Sequence, residues 1–336
     1  SYVIDIYRGR LMPERHPGYY ALFVSFFPQL VAGPIERSTA LLPQLHAQER
    51  RMDSSGWLWM VRGFAKKLLL ADTAAVFVDS VYASPADASG PAVLLATLLF
   101  AGQIYWDFSG YSDIAVGAAV LLGVRLSRNF DHPYRADSLR DFWRRWHISL
   151  TRWFTDYVYI PLGGSRCSRS RWLLNVFLVW GLTGLWHGAA WNFVLWGLFF
   201  AVLLAAEKLW YGHGLEKTRL LKHLYMHPLL AVSFVLFHAA DLPAAGQRIA
   251  ALFGFGGLPA SGVESLYYLR SYAVVLVIAL LGATPLPAKA VQRLRDTSAG
   301  SAVLSVAEPV ALVLLLALCT AYLVDGSFNP FLYFRF

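Results

Sequence analysis

Charge is what this sequence has least of. Only 15% of its 336 residues are Asp, Glu, Lys or Arg, against about 25% in ordinary soluble domains. A water-soluble fold so poor in charge would expose wide apolar patches and aggregate, so the bilayer is the natural solvent. Cysteine is nearly absent. Cys167 lies in a basic stretch and Cys319 in an apolar run, which leaves no disulfide framework and no Cys/His spacing for zinc or haem. No metal is expected. Gly-x-Ser-x-Gly, HExxH, Walker A and dinucleotide fingerprints are all missing, which removes the usual serine-hydrolase, zinc-protease and nucleotide-fold chemistries. There is no signal peptide, internal repeat or low-complexity tract.

Aromatic residues are abundant instead, with 12 Trp, 17 Tyr and 22 Phe. Trp and Tyr favour the membrane–water interface, where an apolar ring and a polar edge are both satisfied. The net charge of +8 comes from short clusters set between apolar runs: Arg50-Arg51, Lys66-Lys67, Arg144-Arg145, and Arg166, Arg169 and Arg171. That spacing fits loops and interfacial helices beside anionic lipid, not a nucleic-acid surface. Stretch 163–171 carries three Arg and no acid, and 135–152 adds five Arg against two Asp. The positive-inside rule puts this region in the cytoplasm.

The apolar run 19–35 is interrupted by Pro28, Gly33 and Pro34, so it reads as broken or re-entrant and backed by protein. Residues 57–82 read as a mixed helix, interfacial or interior-facing, and 92–106 and 114–124 as two further runs on either side of Asp107 and Asp113. Residues 172–206 hold 35 positions with no Asp, Glu, Lys or Arg. One span needs about 20 residues, so this is either two half-buried helices or one helix broken near its centre, with Gly181, Gly184 and Gly188 supplying the break. Later runs cover 224–240, 271–288 and 303–324. By length the chain carries roughly seven to nine membrane-associated helices in one domain spanning 1–336. Stretch 1–17 is fairly polar, and an upstream membrane region is expected to be missing.

Stretch 137–164 predicts a capped amphipathic helix, starting at Asp137 or Ser138 and ended by Pro161, Gly163 and Gly164. Leu139, Phe142, Trp143, Trp146, Leu150, Trp153, Phe154 and Tyr157 form its apolar stripe. Arg140, Arg144, His147 and Thr151 fall on the opposite face, where cations would lower the His147 pKa. Two readings stand: a helix lying flat on lipid phosphates, or a cytoplasmic site for a phosphate-bearing acyl donor with His147 near the thioester. His187 sits within two residues of the midpoint of the uncharged run, and an ionisable group at such depth is a functional hypothesis by default. The alternative is a neutral ring bonded to a carbonyl at a kink. A neutral imidazole can take the proton of a hydroxyl attacking a thioester, and Asn192 or the Trp indoles can steady the oxyanion. The segment YWDFSGYSD (105–113) brings Asp107 and Asp113 to line a polar tunnel or to orient the arginines.

FFPQLVAGPI (26–35), DFSGYSD (107–113), DFWRRWHISL (141–150), DYVYIPLGG (156–164) and LWHGA (185–189) together resemble the bacterial membrane-bound O-acyltransferases. The likeness is to the branch of the alginate O-acetyltransferase membrane subunit and runs from Tyr2 to Phe336. The resemblance implies an all-α, multi-pass shell around a tunnel in the cell membrane, with two core histidines that fall on His147 and His187. The second is the usual catalytic candidate. It also implies a cytoplasmic thioester co-substrate, acetyl-CoA or an acyl carrier, and no bound cofactor. A periplasmic or extracellular transferase partner often finishes the transfer. Members carry several helices before a segment like YVIDIYR (2–8), and His238 stands where relatives commonly have Arg.

The expectation is therefore a membrane O-acyltransferase acetylating an exported, alginate-like or other cell-surface polysaccharide. His187 is the expected general base and His147 a second catalytic group. Arg140, Arg144, Asn192 and Asp113 are the expected donor- or substrate-binding residues. Its rivals are D-alanyl transfer toward teichoic acid, which uses a carrier-protein thioester, and a non-enzymatic conduit or scaffold.

Overall fold

A computed structural model of the chain describes residues 1–49, 51–83, 88–218, 220–255 and 263–325. Arg50 of the first basic pair and the end of the resemblance, 326–336, lie outside the described residues, which contain helices and no strand.

The opening segment folds as α1 (Tyr2–Tyr7), α2 (Pro17–Ser25) and α3 (Ser38–His46). Run 19–35 breaks as its prolines predict: α2 stops at Ser25, and a single 3-10 turn over Phe27–Gln29 follows. Phe23 and Phe26 then bury against Leu41, Leu42 and Leu45 in a small core of their own.

α4 (Ser55–Ala65) and α5 (Asp72–Ala83) are joined by a wide π-helical turn, Lys66–Ala71, and both pack on α6 (Gly90–Leu121). α6 corrects the expected pair of runs on either side of 107–113. It is one unbroken helix of 32 residues, because its carboxylates meet lysines across the interface. Lys66 Nζ lies 2.6 Å from Asp113, and Lys67 Nζ lies 2.8 Å from Asp107 and 2.7 Å from Asp72. Both acids are thus answered by lysines of the turn between α4 and α5. Close approach of α4 to α6 depends on glycine. A Cβ on Gly56 would meet Gly117 O at 2.5 Å, and one on Gly63 would meet Gly110 O at 2.6 Å. In lipid, where apolar burial gives no preference for protein over solvent, such small-residue contacts hold helices together.

α7 (Leu139–Arg145) and α8 (Ile148–Phe154) replace the single helix expected over 137–164, and a π-helical turn, Thr155–Tyr159, follows them. The chain turns at Trp146 and His147, the latter left-handed at φ 44°. α9 (Arg169–His187) and α10 (Trp191–Ala206) resolve the uncharged run as a helical hairpin. Its break lies at 188–190 alone. Gly184 sits inside α9 and serves packing: a Cβ there would meet Phe193 O at 2.3 Å, and one on Gly197 would meet Trp180 O at 2.2 Å. His187 is thus at the hairpin tip and not midway along one span.

α11 (Gly212–Glu216), α12 (Leu221–His238) and α13 (Leu242–Leu252) follow. α12 packs beside α6 and α10. Among the described residues the last four helices are α14 (Val263–Ser271), α15 (Ala273–Gly282), α16 (Leu286–Arg295) and α17 (Ser298–Asp325). Run 271–288 is bent, with 69° between α15 and α16. The principal core gathers aromatic side chains of α5, α6, α7, α10 and α12, including the fully buried Phe77, Phe100, Phe142 and Phe200.

Among the described residues, three helical stretches are long and apolar enough to cross a membrane: α6, Trp191–Tyr211 and α17. A fourth exists if the bent α15–α16 pair counts as one span. Other apolar runs fold into shorter or more polar helices. The protein is an all-α, polytopic membrane protein.

Candidate active site

Both motif histidines reach one cavity. Ile104, Asp107 and Phe108 of α6 line one side, and Trp143, Trp146, His147 and Leu150 of the α7–α8 turn line another. His187, Trp196, Phe234 and Phe237 close it from α9, α10 and α12. Its free volume of about 50 Å³ exceeds the ≳10–15 Å³ that one water needs, so it has room for a few waters or a two-carbon acyl group.

His147 is placed by its backbone. At φ 44° and ψ 54° it is the N-cap of α8, a conformation that costs a non-glycine residue about 1–3 kcal/mol unless its surroundings hold it. Asn129 does the holding. Its carbonyl accepts from Ile148 N (3.0 Å), and its Oδ1 accepts from Ser149 N (3.2 Å) and Ser149 Oγ (2.7 Å). Asn129 Nδ2 in turn donates to Ser112 Oγ of α6 (3.2 Å). The ring, 3% exposed, stands edge-on to Phe108 at 4.8 Å and 6.3 Å from Trp186. The turn therefore removes His147 from the polar face of Arg140, Arg144 and Thr151 and points it inward. Burial, with His187 adding to it, pushes its pKa well below the ordinary value. The neutral ring was expected, but its cause is desolvation and not the arginines.

His187 ends α9, half-buried, with its ring 5.1 Å from both Trp196 and Phe237. Around the two imidazoles, His147 Nδ1 and the indole nitrogens of Trp143 and Trp196 are buried with no hydrogen-bond partner. Leaving a buried donor or acceptor unpaired costs about 1–3 kcal/mol. Three such groups in the wall of one cavity mark it as built for something polar.

The other expected residues fall elsewhere. Asn192 is buried, and its amide donates to the carbonyls of Phe237 (3.4 Å) and Ala239 (3.1 Å). It ties α10 to the end of α12, outside the cavity lining. Asp113 pairs with Lys66, also outside the lining, whereas Asp107 does line the cavity, backed by Lys67. Arg140 and Arg144 are exposed. Glu207 accepts from the Leu139 and Arg140 backbone amides (2.9 and 3.2 Å) and anchors the start of α7. His238, given no role from sequence, sits 3.2 Å from Arg248 Nη1.

Sequence reasoning missed Asn129 and Glu207 because each acts on backbone far along the chain. Trp143 and Trp196 were hidden in an aromatic-rich background, although the indoles as a class were among the expected oxyanion donors. Among the described residues, no group of three His, Cys, Asp or Glu is arranged to hold a metal ion.

The sequence model of the membrane-bound O-acyltransferase family matches residues 15–239. That interval contains both histidines and every residue lining the cavity. The chain belongs to this family. It is similar to a probable alginate O-acetylase, AlgI, of Azotobacter vinelandii, at 37% identity covering 100% of this chain and 73% of the relative. A peptidoglycan O-acetyltransferase of Helicobacter pylori is 36% identical over 71% of this chain and 47% of its own length. A teichoic acid D-alanyltransferase of Bacillus subtilis is more distant, 28% identical over 59% of this chain and 53% of its own. As a family member the protein is a membrane O-acyltransferase, moving an acyl group onto a hydroxyl.

Proposed function

We propose that the cavity passes an acetyl group from a cytoplasmic thioester to a hydroxyl of an exported polysaccharide, within the cell membrane. The observation that carries this is the meeting of His147 and His187 beside unpartnered indole N–H groups. Relatives named for alginate and peptidoglycan O-acetylation support the choice of acyl group and acceptor class.

In the proposed step, His187 takes the proton of the acceptor hydroxyl as its oxygen adds to the thioester carbonyl. The Trp143 and Trp196 indoles donate to the oxyanion so formed. Collapse of the tetrahedral adduct breaks the C–S bond, and the imidazolium returns its proton to the departing thiolate. The product is an acetyl ester plus a free thiol. Among the described residues no Ser, Thr or Cys lines the cavity, which favours direct transfer over an acyl-enzyme on such a nucleophile. His147, neutral and held by Asn129, is the second polar wall of the cavity and positions the thioester. A periplasmic or extracellular transferase partner completes the delivery to polymer.

The test is transfer of labelled acetyl from acetyl-CoA in membranes holding the full-length protein, wild type beside His187→Ala at matched level. Label on polymer only when His187 is present is the expected result. Equal label in both moves the function to a conduit or to chemistry elsewhere. A strict requirement for a charged carrier protein moves it to the D-alanyl type of donor.

A further inference from the structure

Among the described residues, Asp107 is the one acid that lines the histidine cavity. α6 presents it there with Ile104 and Phe108, neighbours on one helix face, and it is 2% exposed. Behind it stands Lys67, whose Nζ lies 2.8 Å from Asp107 Oδ1 and 2.7 Å from Asp72 Oδ1. Two carboxylates thus share one ammonium. The π-helical turn Lys66–Ala71 makes this sharing local, since the Asp72 N–H donates to Lys67 O across five residues, where an α-helix would span four. Single turns of this kind are frequent at functional sites.

A second contact shows what a plain tie between the same elements looks like. Six residues further along α6, Asp113 pairs one to one with Lys66, outside the cavity lining. The cluster at the cavity holds one acid more than that. Its surplus negative charge borders a space whose other ionisable walls, among the described residues, are His147 and His187. Inside a protein the effective dielectric is far below that of water, so a charge acts across such a space. A surplus charge in the interior is costly unless an opposite one answers it. The proposed transfer creates that opposite charge when His187 takes the hydroxyl proton.

From this arrangement we infer that Asp107 is the counter-charge to the imidazolium formed on His187, kept in surplus by the sharing of Lys67 with Asp72. The inference rests on the base assignment above and adds no bond to the reaction. The proton still passes from hydroxyl to His187 to thiolate, and Asp107 contributes charge alone. It is a positioning residue, acting through His187 and not on the substrate.

The experiment places the full-length protein in lipid nanodiscs with acetyl-CoA and compares two small acceptors, ethanol and trifluoroethanol. The second is the stronger acid and leans less on a base. Asp72→Asn removes one unit of charge without touching the cavity wall. Its kcat is expected to fall roughly tenfold with ethanol, the equivalent of one pKa unit of base strength, and clearly less with trifluoroethanol. Asp72→Glu, which restores the charge, should restore the ethanol rate. If Asp72→Asn does not fold, the isosteric Asp107→Asn carries the same test. Equal losses with both alcohols overturn the inference, since a displaced His187 slows both alike. No loss with either alcohol overturns it too, while His187→Ala stays inactive and the base assignment stands. An active His187→Ala, or wild-type protein that acetylates neither alcohol, contradicts the transfer reading itself and removes the inference with it.

Discussion

α6 and α17 are both long, apolar helices that pass for membrane spans, yet 72% of the apolar window of α6 is buried inside the protein and only 6% of that of α17. The difference lies in a few polar positions. α6 carries Asp107 and Asp113, both paired with lysines of the Lys66–Ala71 turn, and two glycines pressed against α4. α17 shows Val303, Val306, Val310, Val313 and Leu314 to the outside. Hydropathy alone cannot tell a wall of the histidine cavity from a lipid-facing coat. Buried charge with a partner and close backbone contact can, because both are costly unless protein answers them.

The contrast is most exposed to failure at Lys67. Lys67→Met leaves Asp107 and Asp72 without their shared cation inside the core, and stability is expected to fall by about 3–5 kcal/mol. Thermal unfolding of purified protein in detergent measures it, and a loss under 1 kcal/mol would mean the triad is solvated. Next comes Trp196→Phe, which keeps a ring in the cavity wall and deletes the N–H. The acyl-transfer rate should drop about 10²–10³-fold, with a smaller stability loss than the roughly 3–5 kcal/mol of a Trp→Ala truncation. Full activity in that variant removes the indole from the oxyanion role.

Acid sharpens the comparison further. His147 lies in the turn between two short helices, and its folded pKa is depressed by burial. Below its unfolded value of about 6.5, the unfolded chain binds a proton that the folded one refuses. The stability is complete above that pH and falls as pH drops, by up to ~1.4 kcal/mol per unit for this group. His147→Phe should flatten the slope between pH 6.5 and 5; an identical slope in both proteins would show that the ring titrates freely. The smallest effect belongs to the coat. Val313→Ala on α17 is expected to stay within about 0.5 kcal/mol, and a larger loss would reveal a protein contact where lipid is assumed.

The helical, membrane-bound class and the breaks near Pro28 and Gly188 were legible in sequence because composition and helix breakers act locally. Both motif histidines stood out in sequence, and the structure brings them to one cavity. The geometry of 137–164 was not legible. Its apolar stripe continues through Trp146 into Leu150, so periodicity reads as one helix, while the left-handed turn at His147 depends on Asn129, Ser149 and Ser112 meeting across the fold. Asn192, expected from sequence as an oxyanion donor, directs its amide at the Phe237 and Ala239 carbonyls, a tertiary contact with the end of α12 that local sequence does not reveal. The pairing of Gly56 and Gly63 with Gly117 and Gly110 has a seven-residue spacing that was there to be seen, but spacing names no partner.

The central claim is that His147 and His187 act as one unit in one cavity. Acetyl-transfer rates of His147→Ala, His187→Ala and the double variant test it most directly, in full-length protein at matched membrane levels. The account predicts that His187→Ala alone loses about 10²–10⁴-fold and that adding His147→Ala costs little more, as for residues working on the same transition state. A double variant whose loss equals the product of the two single losses would contradict it, placing the histidines in separate, independent roles.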